Sequence, residues 1–141
     1  ALDNAKAETA KFLAEQRRIT VAEAAALMPK VSDCRVTQVV DIKKGIHCMN
    51  PKNTAATLTE ERPTAETARY LVTYVRDRDM NKAMDTASWN MLQTLQQQQG
   101  LTRLDAYSLA SIAMDCRVGE MMAEEKSVHC LVPKSLWVAK K

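Results

Sequence analysis

The sequence predicts an α+β fold: a tandem duplicated α-α-β-β unit with helical hairpins packed on short β-hairpins, plus one extra strand. Three observations carry this. The chain aligns with itself without a gap at an offset of 82 residues, each copy shows apolar residues at helical spacing followed by two short β-branched runs, and one further run at 70–75 lies outside both copies. Residues 1–52 lie over residues 83–134 with about 17 identities in about 52 positions, far above the roughly one in twenty expected of unrelated residues. The strongest blocks pair Asp33-Cys34-Arg35-Val36 with Asp115-Cys116-Arg117-Val118, His47-Cys48 with His129-Cys130, and Pro51-Lys52 with Pro133-Lys134. All four cysteines therefore fall on repeat-equivalent positions.

In the first copy, Leu2, Ala5, Ala10, Phe12 and Leu13 give residues 3–16 one apolar helical face. Thr20 and Glu23 form a capping box that opens a second helix through Leu27 and Met28, and Pro29, lacking an amide donor, kinks or limits it. The runs 36–40 and 46–49 flank a polar, glycine-bearing turn at 41–45 and read as a hairpin. The second copy repeats this grammar. A helix over 81–98 ends at Gly100, Thr102-x-x-Asp105 caps the next, and the runs 117–122 and 128–132 form the second hairpin, with Ser127 where the first copy has glycine.

Between the copies, residues 53–67 are rich in Thr, Glu and Pro, as a surface connection is. The chain thus divides into a first repeat at 1–53, a linker at 54–67, and a strand plus second repeat at 68–141. The strand at 70–75 leads into the second copy alone. A complete unit would be β-α-α-β-β, so we expect an upstream strand from a missing segment or from another chain.

At 141 residues the chain is long enough for a stable core without cross-links, and with 46% apolar but only 4% aromatic residues that core should be aliphatic. Six methionines, Met80, Met84, Met91, Met114, Met121 and Met122, read as core filling. The net charge of +3 is spread along the chain, which argues against a nucleic-acid partner, and no apolar run approaches the roughly 20 residues that span a bilayer, so no membrane anchor is expected. Position 1 is Ala, and the acidic, amphipathic opening lacks the form of a signal peptide, so a processed, truncated or partial chain is expected. An even cysteine count suits either free intracellular thiols or exported disulfides and leaves the compartment open.

His47, Cys48, His129 and Cys130 are zinc-competent side chains that a twofold relation between the copies could bring together. Neighbours on a strand point to opposite faces, so one His-Cys pair cannot easily grip one ion, and the simpler reading is a strand with one buried and one polar side. Cys34 and Cys116 read by default as small buried thiols, with a disulfide between these equivalent cysteines across the twofold as the alternative. Asp33 and Asp115 precede Arg35 and Arg117, a pairing that commonly braces a helix-to-strand junction. Glu66, at a strand entrance, reads as a general base or ion ligand if the strand borders a cleft, and otherwise as a solvated loop acid. There is no nucleophile elbow, phosphate loop or dinucleotide fingerprint.

The stretches Asp79-Met-Asn-Lys-Ala-Met84, Gly100-Leu-Thr-Arg-Leu-Asp-Ala-Tyr107, Asp115-Cys-Arg-Val118 and His129-Cys-Leu-Val-Pro-Lys134 resemble the C-terminal part of the acetamidase/formamidase family. The first copy matches the same pattern in Val36-Thr-Gln-Val-Val-Asp41 and Lys44-Gly-Ile-His-Cys-Met49, and Pro63-Thr-Ala-Glu-Thr67 through Tyr74 looks like the strand ahead of that region. The resemblance implies a hydrolase that cleaves the C–N bond of small aliphatic amides to carboxylate and ammonia. It further implies a homo-oligomer and a divalent metal such as zinc, with its ligands outside this chain. Family members are about twice this length or longer, so the chain alone is expected to be inactive and to need an N-terminal segment or another chain to complete the site. Asp33, His47, Asp115, His129 and Glu66 are the candidate catalytic residues, and a non-catalytic, pseudo-symmetric assembly module is the alternative function.

Overall fold

A computed structural model describes residues 1–38, 45–57 and 62–137. Residues 41–44 of the turn predicted at 41–45, and the end of the first predicted strand, residues 39 and 40, lie outside these. The order is α1 (Leu2–Arg17), α2 (Val21–Val31), β1 (Asp33–Gln38), β2 (Gly45–Met49), β3 (Tyr70–Asp77), α3 (Met80–Gln99), α4 (Arg103–Ala113), β4 (Asp115–Val118), β5 (Lys126–Pro133) and a short 3₁₀ turn at Lys134–Leu136. Helix-helix-strand-strand thus occurs twice in an α+β fold with an open sheet, in the strand order β2-β1-β4-β5-β3.

Local chemistry sets the helix ends. Thr20 Oγ1 accepts from the Glu23 amide at 3.2 Å while the Glu23 carboxylate accepts from the Thr20 amide at 2.8 Å, the reciprocal capping box expected. Thr102 accepts from the Asp105 amide at the equivalent place. Pro29 does not stop α2, which runs on to Val31. Both long helices end on a left-handed residue, Gly100 at φ 65° in the second copy and Arg18 at φ 56° in the first. Glycine bears that conformation without Cβ crowding and arginine does not, so the same turn is strained only in the first copy.

All sheet pairings are antiparallel. At the centre Arg35 of β1 stands opposite Arg117 of β4, its repeat equivalent. A pseudo-twofold axis therefore passes between these two residues and relates the copies. The four helices cover one sheet face. Alternate strand residues, Cys34, Val118, Val128, Cys130, Val132 and Leu71 among them, point into that layer and are buried against Leu13, Ala24, Met28 and Val31 in one half and Met84, Ala87, Met91 and Leu95 in the other. The aliphatic core is as composition predicts, except that Met122 is 48% exposed. The reason is that β4 ends at Val118: the Gly119 amide bonds the Ser127 carbonyl and the Glu120 amide turns to the Ser127 hydroxyl at 2.8 Å, so the backbone leaves the ladder before Met122.

The cysteines correct the sequence reading most sharply. They are neither free thiols nor paired across the twofold. Cys34 bonds Cys48 and Cys116 bonds Cys130, each within its own hairpin, with α carbons 4.0 and 4.1 Å apart. Register is the cause: Cys34 stands opposite Cys48 and Cys116 opposite Cys130, whereas across the axis Cys34 meets Val118. The first strand starts at Asp33, not at Val36 as the β-branched run suggested, and that shift makes the cysteines partners.

Candidate functional site

The sheet face away from the helices carries the polar residues. The strand registers place His47, Arg35, Arg117, His129 and Tyr74 side by side, one from each of β2, β1, β4, β5 and β3, in a single row across the sheet. Two arginines directly opposite one another repel, so a row of this kind needs acids beside it. Asp33 and Asp115, two residues earlier on their strands, supply them. Arg35 donates from Nε to Asp33 Oδ2 at 2.7 Å and from Nη1 across the axis to Asp115 Oδ2 at 3.1 Å. Arg117 donates to the same Asp115 oxygen from Nε and Nη2, both at 2.9 Å. The expectation that each Asp braces its own Arg at the helix-to-strand junction holds in both copies.

Residues 62–67 run over the second copy's half of this face. Arg62 donates to the carbonyls of Ser32 at 3.2 Å and Gly119 at 3.4 Å, and its Nη2 lies 3.7 Å from Asp33 Oδ1. Asp33 is buried, and that Oδ1 has no hydrogen-bond partner among the described residues. Three arginines, Arg35, Arg62 and Arg117, thus gather around the two aspartates at the centre of the face. The side chains of Asp115 and Arg35 remain about a third and a quarter exposed.

His129 is only 4% exposed. Its Nδ1 lies 3.0 Å from the Pro63 carbonyl, which can only accept, so Nδ1 carries the proton and Nε2 presents a lone pair to Ser127 Oγ at 3.4 Å. The Tyr74 ring packs 4.8 Å from the imidazole. Burial pushes the His129 pKa below the ordinary 6.5, with the Pro63 hydrogen bond opposing and the Arg62 charge adding to the decrease. The Ser127–His129 contact is too long for an activated nucleophile, and Ser127 is fully buried, so the pair is closed to substrate.

His47, its repeat equivalent, is exposed, with Nδ1 2.8 Å from Thr37 Oγ1. The predicted site residues therefore divide. Asp33 and Asp115 meet at Arg35, and His47 and His129 flank the arginine pair on its two sides. Glu66 stands apart from them, half exposed and ion-paired to Lys134. That contact anchors the connecting segment to the end of β5, and Lys134 is thereby engaged rather than simply facing solvent.

Neither His-Cys pair forms a zinc site. The cysteines are oxidised and point to the helix side, the histidines point to the opposite face, and no group of three or more His, Cys, Asp or Glu suited to a metal occurs among the described residues. Sequence reasoning missed Arg35, Arg117 and Arg62 as members of the site. The Asp-x-Arg repeat was the available signal for the first two, and for Arg62, which lies outside the repeat, there was none. None of the described helices is long and apolar enough to cross a membrane. No family model, curated protein or solved structure matches this chain.

Proposed function

We propose that this chain is the C-terminal part of an amide hydrolase of the acetamidase/formamidase type, cleaving the C–N bond of small aliphatic amides to carboxylate and ammonia, and inactive alone. One observation carries the reading. The residues that bear the resemblance in the second copy, Asp115-x-Arg117 with His129, come together with their repeat equivalents Asp33-x-Arg35 and His47 on one helix-free sheet face around an arginine pair. Guanidinium groups are suited to a carboxylate product or to the developing charge on a carbonyl oxygen, and the exposed part of Asp115 is a candidate acceptor for an amide N–H. An accessible nucleophile and a metal would have to come from the segment or chain that completes the site.

The test is ammonia release from formamide and acetamide, measured for a metal-replete longer protein that contains these residues and for the 141-residue chain. Activity in the first, none in the second, and a loss of at least tenfold in Arg117→Gln of the longer protein are expected. No release by the longer protein would overturn the reading. The second reading, a non-catalytic assembly module, is favoured by the Ser127–His129 pair, whose hydrogen bonds all close internally.

A further inference from the structure

The pseudo-twofold axis makes a quantitative demand that the sheet does not meet on both sides. β5 is paired along its whole length by β3, from Tyr70 opposite Pro133 to Asp77 opposite Lys126. Its repeat equivalent β2 has β1 on one side and no strand on the other among the described residues. The consequence is visible at each equivalent position. Met49 is 43% exposed where Leu131 is 2% exposed, His47 is exposed where His129 is buried under Tyr74, and Gly45, Ile46 and Cys48 are partly exposed where Ser127, Val128 and Cys130 are buried.

β2 is short and its pairing with β1 is bulged near Thr37, but it lacks the charged and proline residues that commonly guard a sheet edge. Its sequence, Gly45-Ile-His-Cys-Met49, contains no lysine, no proline and no carboxylate, while the outer strand at the other end of the sheet carries Arg76 and Asp77. α1 packs against β2 as α3 packs against β3 and β5, so the helix layer is present beside this edge while, among the described residues, the outer strand is not.

We propose that the outer edge of β2 is a binding site for an extended peptide strand with the side-chain pattern of β3, added antiparallel so that the sheet gains a sixth strand. The second copy supplies the register. An aromatic residue at the position of Tyr74 lies over His47, an aliphatic one at the position of Val72 covers Met49, and a small residue at the position of Thr73 faces the helix layer opposite Cys48. Main-chain hydrogen bonds provide the attachment, and burial of His47 and Met49 provides the selectivity. This inference does not depend on the amide-hydrolase reading, since it concerns strand addition and would hold for an assembly module as well.

The experiment uses the 141-residue chain and a synthetic peptide of residues 69–78, the β3 sequence, at up to about 1 mM, a range suited to weak strand addition. Backbone amide exchange is read residue by residue. Slowing of at least tenfold in β2 amides, with resonance shifts at His47 and Met49 and no effect from a peptide carrying proline in place of Thr73, is the expected result. Three results would overturn it: no protection of β2, protection centred on β3 or β5 instead, or β2 protection that rises with protein concentration without peptide. The last would show that a second copy of the chain covers the edge.

Discussion

The two hairpins carry the same His-Cys pair and the same disulfide, yet the second is a buried interior strand pair and the first is an edge. In the second, β3 and residues 62–67 cover His129, fix its tautomer through the Pro63 carbonyl and exclude water from Ser127. In the first, His47 meets only Thr37 among the hydrogen bonds described, and Met49 faces solvent. Equal sequence in the motif therefore does not mean equal environment. The neighbours supplied from outside the repeat decide which copy is sealed.

Reduction should separate the copies most strongly. Each disulfide spans 14 residues in sequence, a loop whose closure is worth about 3 kcal/mol of stability. Cys116 and Cys130 are buried and Cys48 is partly exposed, so a reductant should open Cys34–Cys48 first. Timed alkylation with mass spectrometry reads the order, and simultaneous opening would mean that the two hairpins are equally accessible.

A smaller effect should come from the glycines. A Cβ on Gly119 would collide with His129 Nε2 and Ser127 Oγ, and overpacking of this kind costs about 1–3 kcal/mol. At Gly45 an added Cβ would lie 3.2 Å from Thr37 Cβ, a tight contact relieved by a shift of the exposed Thr37 and far milder than the collision at Gly119. Urea unfolding of Gly119→Ala and Gly45→Ala should therefore show a loss mainly for the first. Equal losses would refute the claim that only the second site is tightly filled.

The smallest effect should be the dependence on pH. His129 has a pKa below 6.5 in the folded chain because burial disfavours its charged form, so the unfolded chain binds the proton more readily. The stability tied to its neutral state is complete above about pH 6.5 and is lost as pH falls toward and through the lowered folded value. Thermal midpoints near pH 7.5 and near pH 5.5 should differ more for the native chain than for His129→Gln. An unchanged difference would assign the pH effect to other groups.

Much of the architecture was legible because local chemistry and hydrophobic period agree. The capping residues Thr20 and Thr102, the stop at Gly100 and the apolar run along residues 70–75 each produce the element they predict. Strand starts were less legible. Asp33 and Cys34 do not resemble strand residues by composition, and they enter β1 because Asp33 is held by Arg35 and Cys34 by Cys48. That single difference hid the disulfide pairing. Asp33, Asp115, His47 and His129 could be picked from the repeat, but the arginine centre depends on register across the axis and on Arg62 arriving from the connection. Neither is encoded in spacing along the chain.

Beside each histidine the copies have exchanged a side chain. The first holds Thr37 opposite a strand that begins with Gly45, and the second holds Gly119 next to Ser127, so that each places one hydroxyl by its imidazole but from opposite strands. Recombination between the repeats with a break between positions 37 and 45 would therefore change what each imidazole meets. One product would inherit both hydroxyl-bearing residues, and the other would inherit two glycines and no hydroxyl. The single hydroxyl beside each histidine is thus a property of the two strands together, kept only when both come from the same copy.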